Sequence, residues 1–333
     1  MPWEDLKPMF RPETVHMGVL TVDAEKCTHC GLCMENCPLR AWETDENEVP
    51  RQKKEYECFS CCNCMVVCPV DAITLVDGYH VDRGFYETDP HPLPYKMPLK
   101  PLNADGKPDE WNAVERLVLE RRSVRNFKDK PVPEPLIRRV LEAGRFAPSA
   151  GNCQPWKFIV ITNLSLIKEM EQLIYFVLAM LHNMYKDDGT VQNLVPMYEA
   201  GGTPGSYDPR VILGGIGSIV KGNGTAFLGA PAVVLLLGDK RAIGGPLLNI
   251  GICGQNMNIV AKSLGLAFCW VGFSTVLMRM PPLLEKLGVQ EPWEITNSFV
   301  LGYPRFKQEG MVPREYRPVT WFRNGSDSPQ VEE

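Results

Sequence analysis

Long hydrophobic runs and clustered histidines are both absent from the 333-residue sequence. The most apolar stretches, LIYFVLAML and APAVVLLLG, are too short to span a bilayer, and the N-terminus lacks the apolar core of a signal peptide. We therefore expect a cytoplasmic protein with no membrane span. The five histidines are scattered along the chain, so no Ser-His-Asp or Cys-His catalytic site is indicated.

Positive charge is scarce in the first 82 residues, where seven Lys/Arg face fifteen Asp/Glu and the net charge is −8. The remaining residues carry a net charge of +3. An acidic segment argues against nucleic-acid binding, because phosphates require a basic surface. It is compatible with the docking of a basic protein partner.

A dinucleotide-binding fingerprint is also lacking. The glycine-rich stretch GGIGSIVKGNG has the wrong spacing, and no strand pattern runs directly into it. It belongs to residues 182–225, which hold nine glycines and predict an irregular, mobile loop.

Three regions differ in their patterns. In residues 1–82, GVLTVDAEK predicts a strand, and AITLVDGYHVD predicts a hairpin with its turn at Asp77-Gly78. Residues 83–110 contain six prolines and predict a stiff linker. Residues 111–333 form an α+β unit, with helices predicted at EWNAVERLVLERRS, PEPLIRRVLEAGRFA and GICGQNMNIVAKSLGLA, and strands at KFIVIT, PAVVLLLGD, FCWVGF and NSFVLGYP.

Cysteine is concentrated in the N-terminal region, where nine of the twelve lie between Cys27 and Cys68. A disulfide framework would require an exporting signal and an oxidising compartment, and neither is indicated. Structural zinc sites usually combine two separated cysteine pairs, whereas here four cysteines are packed into each run. An iron–sulfur site fits this concentration of thiols better than zinc or disulfides.

Two stretches, CTHCGLCMENCP and CFSCCNCMVVCP, share the spacing C-x2-C-x2-C-x3-C-P. Three cysteines at this spacing can wrap a cubane cluster, and the fourth, turned away by the proline, reaches the other cluster. Residues 20–82 closely resemble the bacterial two-cluster ferredoxins. The resemblance implies two [4Fe–4S] clusters, one held by Cys27, Cys30, Cys33 and Cys68, and the other by Cys58, Cys61, Cys64 and Cys37. Cys62 falls outside the pattern, and we expect it to be a packed thiol.

Two further motifs follow the predicted helices of the larger unit. RRSVRNF offers Arg121, Arg122 and Arg125 beside the Ser123 hydroxyl, which suits a phosphate, although a solvated basic helix end is the alternative. APSAGNCQPWKFIV places Asn152 and Gln154, which can both donate and accept hydrogen bonds, in a turn before a strand.

Taken in this order, the two motifs resemble those of the nitroreductase family of FMN enzymes, and GLAFCWVGF, LGYP and REYRP match later landmarks of that family. The resemblance covers about residues 112–322 and implies an α+β fold with a central, mostly antiparallel sheet flanked by helices. It also implies a homodimer with FMN at the interface, and a lid over the flavin in the glycine-rich segment.

The same resemblance implies residue roles. Arg121, Ser123 and Arg125 would hold the FMN phosphate and ribityl chain, while Pro148, Ser149 and Asn152 would contact the flavin from the partner subunit. The backbone of Trp270, Val271 and Gly272 would approach the flavin ring. Arg317 would bind the phosphate late in the chain, with Arg314 as the competing candidate. Arg122 and Gln154 complete the expected flavin site, and packing roles are expected for Cys153 and Cys269.

The expected function is an iron–sulfur flavoenzyme. Single electrons would pass from a low-potential donor such as ferredoxin through the clusters to FMN, which would reduce a small organic acceptor: a nitroaromatic, a quinone, or an activated C=C or C=N bond. One alternative is a redox relay or sensor without turnover. The other is an NAD(P)H-dependent reductase or dehalogenase of nitroreductase type.

Overall fold

The computed structural model describes residues 15–54, 58–81, 94–184, 215–325 and 328–332. The cysteine-rich unit contains two short helices, α1 (Leu32–Asn36) and α2 (Asn63–Val67). Its strands are β1 (Val15–His16), β2 (Val19–Val22), β3 (Trp42–Thr44), β4 (Pro50–Gln52), β5 (Ile73–Asp77) and β6 (His80–Val81).

The strands around Asp77-Gly78 do not form the hairpin that the sequence predicts. Strand β5 pairs antiparallel with β2, and β6 pairs antiparallel with β1. The two strands therefore pair with N-terminal strands and not with each other. Pairing with residues some sixty positions earlier in the chain overrides the local turn signal. A hairpin of β3 and β4 lies between the two cysteine stretches, where the sequence analysis predicted no strands.

The core of this unit is small and rich in sulfur. Its buried members are Leu20, Cys33, Trp42, Cys64 and Ile73. Three further cysteines, Cys37, Cys58 and Cys68, pack partly buried against this core, so bound metal would supply folding energy that the apolar side chains alone do not.

The larger unit is built around a four-stranded sheet. Its strands are β8 (Trp156–Ile161), β9 (Ala232–Asp239), β10 (Ala267–Trp270) and β11 (Trp293–Gly302). They are arranged in the order β10-β11-β9-β8. All three pairings are antiparallel, as the sequence analysis predicted. Residues 232–238 of β9 are all buried, which explains their unbroken apolar sequence.

Helices cover both faces of the sheet. They are α3 (Ala113–Glu120), α4 (Glu134–Arg145), α5 (Leu164–Met184), α6 (Gly217–Val220), α7 (Pro246–Ser263) and α8 (Pro281–Leu287). Alternate residues of β9 point to opposite cores: Leu235 packs with α5, and Leu236 packs with α4 and α7. This layered α+β arrangement confirms the predicted fold class.

Two features fall within the regions assigned to the linker and the lid. Strand β7 (Tyr95–Lys96) pairs with β12 (Arg314–Glu315), so the end of the proline-rich segment contacts the C-terminal part of the chain. Most of the glycine-rich segment, residues 185–214, lies outside the described residues.

A last pair of strands, β13 (Val319–Trp321) and β14 (Gln330–Glu332), follows β12. Among the described helices, none has the length and apolarity needed to cross a membrane.

Candidate flavin and iron–sulfur site

The first motif begins where α3 ends. Asn112 Oδ1 accepts hydrogen bonds from the Val114 and Glu115 amides in the first turn of α3, and the Asn112 amide donates to Glu115 Oε2, which is a capping box. At the other end of the helix, Arg122 is buried and donates from Nη2 to the Leu119 carbonyl at 2.8 Å and from Nε to the Glu120 carbonyl at 3.4 Å. Its Nη1 is buried without a hydrogen-bond partner in the described structure.

Three arginines meet at this point. Burial, followed by the charges of Arg314 and Arg121, lowers the pKa of Arg122 to about 10. Burial and Arg314 also lower the pKa of Arg121. Three mutually repelling cations, one of them with a buried unpaired N–H group, are suited to an anion such as a phosphate.

Arg314, in β12, lies beside the first motif, because its charge, after burial, is one of the causes that lower the pKa of both Arg121 and Arg122. Arg317 instead pairs with Glu315 at the surface. Of the two late candidates that the sequence analysis left open, Arg314 therefore has the position expected of a phosphate ligand.

Ser123 and Arg125 lie between the arginines and a large cavity. Arg125 donates from Nη1 to the Ser123 carbonyl at 3.2 Å, and its guanidinium lies over the Phe59 ring, 4.9 Å from the ring centroid. Phe59 belongs to the second cysteine stretch, so this cation–π contact joins the two units.

The end of β10 forms one wall of the same cavity. The Val271 amide donates to the Ser298 carbonyl at 2.8 Å, and the Val271 carbonyl accepts from Ser298 Oγ at 2.7 Å and from Ser274 Oγ at 3.2 Å. The indole of Trp270 lies against Gly254, where a Cβ atom would be 2.1 Å from the ring. This backbone is fixed in position, as a surface that orients a planar ring requires.

The cavity measures about 1320 Å³ and lies between the two units. The larger unit contributes Arg125 together with residues 269–273, and the cysteine-rich unit contributes Met34, Cys37, Phe59 and Tyr79. A predicted metal ligand and the predicted flavin-contacting backbone therefore line the same space.

The second motif does not reach this cavity within one chain. Of its predicted flavin contacts, Pro148, Asn152 and Gln154 are exposed and Ser149 is half-buried, and none of the four is among the cavity's lining residues. Gly151, Asn152 and Gln154 all have positive φ angles, and Ser149 Oγ accepts from the Gln154 amide at 3.0 Å. That these residues contact the flavin from a partner subunit stays a prediction.

The eight predicted cluster cysteines separate into two sets. The first set, Cys27, Cys30, Cys33 and Cys68, lines a small cavity inside the cysteine-rich unit. Burial is the main cause that raises the pKa of Cys33 to about 11, and the thiols of Cys30 and Cys68 add to it.

The second set is Cys37, Cys58, Cys61 and Cys64. Burial raises the pKa of Cys58 to about 12, and Cys61 and Cys37 add to it. Burial is the main cause that raises the pKa of Cys64, and the thiols of Cys61, Cys58 and Cys37 add to it. In each set the last cysteine of one stretch thus lies beside the first three of the other, as the ferredoxin resemblance implies.

Backbone groups already point at two of the sulfurs. The Ala41 amide donates to Cys37 Sγ at 3.4 Å, and the Ala72 amide donates to Cys68 Sγ at 3.3 Å. Hydrogen bonds of this kind stabilise cluster thiolates. Within the described residues, no three His, Cys, Asp or Glu side chains are close enough to hold one metal ion. A cubane cluster meets each thiolate at a different iron, so its ligands need not converge on one point.

A buried polar network, which the sequence analysis missed, connects the two units. Asn63 donates from Nδ2 to the Ser123 carbonyl at 3.0 Å. Asn126 donates from Nδ2 to the Asn36 carbonyl at 3.0 Å, and Gln308 donates from Nε2 to Asn36 Oδ1 at 3.0 Å. Asn36 and Asn63 each directly precede a cysteine of the second set. The signal in the sequence was their position: Asn36 directly precedes Cys37, and Asn63 directly precedes Cys64.

The remaining cysteines have mixed outcomes. Cys62 is 1% exposed, which confirms the expected packed thiol, and Cys269 is also buried. The packing role expected for Cys153 is wrong for the single chain, because this residue is exposed on the turn of the second motif.

Comparison with known proteins agrees with this site. The nitroreductase family model matches residues 118–303, more than half of the chain, and the 4Fe-4S binding domain model matches residues 20–43. The chain therefore belongs to the nitroreductase family of FMN-dependent oxidoreductases, and it carries a 4Fe-4S binding domain at its N-terminal end.

The matches to several relatives cover most of each relative's length. A protein of Archaeoglobus fulgidus named as an NADH dehydrogenase/NAD(P)H nitroreductase is 23% identical over 198 residues, which are 58% of this chain and 87% of the relative. The chloronitrobenzene nitroreductase of Comamonas testosteroni is 24% identical over 208 residues, 57% of this chain and 86% of the relative. A solved nitroreductase with bound FMN from Desulfitobacterium hafniense is 25% identical, with a TM-score of 0.48, and the match covers 64% of this chain and all of that one.

Proposed function

We propose that this protein is an iron–sulfur flavoenzyme in which two [4Fe–4S] clusters deliver single electrons to FMN for the reduction of a small organic acceptor. The observation that carries the proposal is the shared cavity, which is lined both by Cys37 of the second set and by residues 269–272 of the segment expected to contact the flavin. FMN handles both one- and two-electron steps, so it can join a one-electron supply to a two-electron reduction.

The residues of the chain fit FMN. Arg121, Arg122 and Arg314 would bind its phosphate, because they present the converging positive charge and the unpaired buried N–H group described above. Ser123 and Arg125 would hold the ribityl chain, and the fixed backbone of Val271 and its neighbours would orient the ring. The Pro148–Gln154 turn of a partner subunit would complete the site in a homodimer.

The cysteine sets fit two clusters. Each set combines four thiols, and the amide-to-sulfur hydrogen bonds of Ala41 and Ala72 are directed at the cross-ligating members. We propose a reduced ferredoxin or a similar low-potential protein as the donor, because a reductase fed directly by NAD(P)H has no need of eight cluster ligands. The acidic N-terminal region would attract a donor with a basic patch.

The acceptor is proposed by class only: nitroaromatics, quinones, and activated C=C or C=N bonds. Nitroaromatic reduction is favoured by relatives such as the chloronitrobenzene nitroreductase. The experiment is an anaerobic screen in which the reduced protein is mixed with each acceptor and flavin reoxidation is followed by absorbance. Rapid reoxidation by one class identifies it, and reoxidation by no acceptor would favour a redox relay or sensor instead.

A second candidate function, an NAD(P)H-dependent reductase, is favoured by the relative from Archaeoglobus fulgidus, whose name includes NAD(P)H. The test compares flavin reduction by NADH, NADPH and reduced ferredoxin. A flavin reduced as fast by a nicotinamide as by ferredoxin would support this alternative.

A further inference from the structure

The two cysteine sets are not equivalent in position. The first set lines a cavity whose other residues, Val22, Thr28, Gly31, Pro50, Val70, Ala72 and Ile73, all belong to the cysteine-rich unit. Cys30 is exposed at this end of the molecule, and the neighbouring His29 is exposed as well. None of the described residues of the larger unit lines this cavity.

The second set faces the flavin motif. Cys37 lines the large cavity, and Phe59, which follows Cys58, lies under the Arg125 guanidinium. Asn63, between Cys61 and Cys64, is hydrogen-bonded to the Ser123 carbonyl.

The contact between the units is also built to be rigid. Asn36 and Asn63 are 1% and 2% exposed, and Asn36 donates from Nδ2 to the Asn63 carbonyl at 3.0 Å. Asn36 is hydrogen-bonded to Asn126 and Asn63 to Ser123, so both asparagines connect the second set to the first motif. Buried, satisfied polar networks fix one arrangement of the elements that they join.

We propose that the second set is the inner cluster site, which hands electrons to the flavin, and that the first set is the outer site, which receives them from the donor at the exposed Cys30 loop. Asn36 and Asn63 act as positioning residues that hold the inner site against Ser123 and Asn126. With clusters and FMN bound, each transfer would move one electron from the donor's reduced centre through the outer and inner sites, and two such electrons with two protons from solvent would reduce the flavin fully. This order rests on the proposed function and adds a direction to it.

The test uses Arg122, which directly precedes Ser123, the residue whose carbonyl accepts the hydrogen bond from Asn63 of the second stretch. A positive charge beside a cluster stabilises its reduced form, so its removal lowers the cluster's midpoint potential. Cys30→Ala should retain only the second-set cluster, and Cys61→Ala only the first-set cluster, as iron and sulfide content will verify. Adding Arg122→Gln to each variant, we expect a lower potential in the Cys30→Ala protein and an unchanged one in the Cys61→Ala protein, measured by EPR-monitored anaerobic titration.

An equal shift in both backgrounds, or a shift only in the Cys61→Ala background, would overturn the assignment. If either cysteine variant does not fold, Arg122→Gln alone is titrated in the full chain, where only one of the two cluster signals should shift. A second readout is flavin bleaching by reduced ferredoxin, which Cys30→Ala should reduce to the background rate. Bleaching at the unchanged rate would show that electrons do not enter through the first set, whereas an unmodified protein that ferredoxin cannot bleach would contradict the proposed function itself.

Discussion

Asn63 donates a hydrogen bond from its side-chain Nδ2 to the backbone carbonyl of Ser123, 3.0 Å away. One residue lies inside the second cysteine stretch and the other inside the motif predicted to bind the flavin. Asn63 is 2% exposed, so this bond is made away from water. The cysteine-rich unit is thereby attached directly to the motif predicted to bind the flavin.

Replacing Asn63 with Ala should weaken that attachment. Loss of one buried hydrogen bond costs about 1–3 kcal/mol in the free energy of unfolding, because the groups left behind are desolvated. We expect a lower urea midpoint and slower flavin reduction by ferredoxin, measured by stopped-flow absorbance. Asn47→Ala, at an exposed position in the same unit, is the matched control and should change neither value. Equal effects of the two changes would rule out the role given to Asn63.

Cys37→Ala should damage the cluster of the other stretch. Cys37 lies with Cys58, Cys61 and Cys64, so its loss should remove about half of the iron and spare the cluster of the first set. Iron and sulfide analysis, together with EPR, would measure this outcome. Cys62→Ala is the control, since Cys62 is equally part of the cysteine-rich unit but lies outside both sets. Full iron content in Cys37→Ala would contradict the cross-ligation.

Arg314→Ala should weaken FMN binding more than Arg317→Ala. Arg314 lies with Arg121 and Arg122, whereas Arg317 is paired with Glu315 at the surface. A charged hydrogen bond contributes about 1.5–3 kcal/mol, so the dissociation constant for FMN should rise about 10- to 100-fold in Arg314→Ala. Fluorescence titration of FMN into the cofactor-free protein measures this. A larger loss in Arg317→Ala would reverse the assignment.

Two glycines on α7 provide a matched pair. A Cβ at Gly254 would lie 2.1 Å from the Trp270 ring, whereas a Cβ at Gly251 would have no neighbour within 4 Å. Gly254→Ala should therefore displace the indole and destabilise the protein by about 1–3 kcal/mol. Gly251→Ala should instead stabilise the helix by about 0.5–1 kcal/mol. Thermal unfolding and the FMN absorbance spectrum report the two effects, and a neutral Gly254→Ala would contradict the tight packing behind Trp270.

The sequence predicted most elements of the larger unit because their signals are local. The apolar run of β9 and the periodicity of α4 need no knowledge of the partners against which they pack. The cysteine spacing is also a local signal, because all of the predicted cluster ligands lie in two short stretches.

The errors came from long-range pairing. Strands β5 and β6 carry a local turn signal, but each pairs with an N-terminal strand instead. The contacts of Asn36 and Asn63 with the first motif were also not predicted, because a position beside a cysteine marks the asparagine but does not show which residue, ninety or sixty positions away, it contacts. The proximity of Arg314 to Arg121 and Arg122 joins residues almost two hundred positions apart, which no local pattern reveals.

The most direct test of the central claim is anaerobic stopped-flow reduction of the flavin, comparing the unmodified protein with Cys61→Ala, which lacks a ligand of the second set. Reduced ferredoxin, NADH and NADPH are the three reductants, and flavin absorbance is the signal. We expect fast bleaching by ferredoxin in the unmodified protein, loss of that bleaching in Cys61→Ala, and slow reduction by both nicotinamides throughout. Fast reduction by NADH or NADPH that persists undiminished in Cys61→Ala would rule out the proposed electron route.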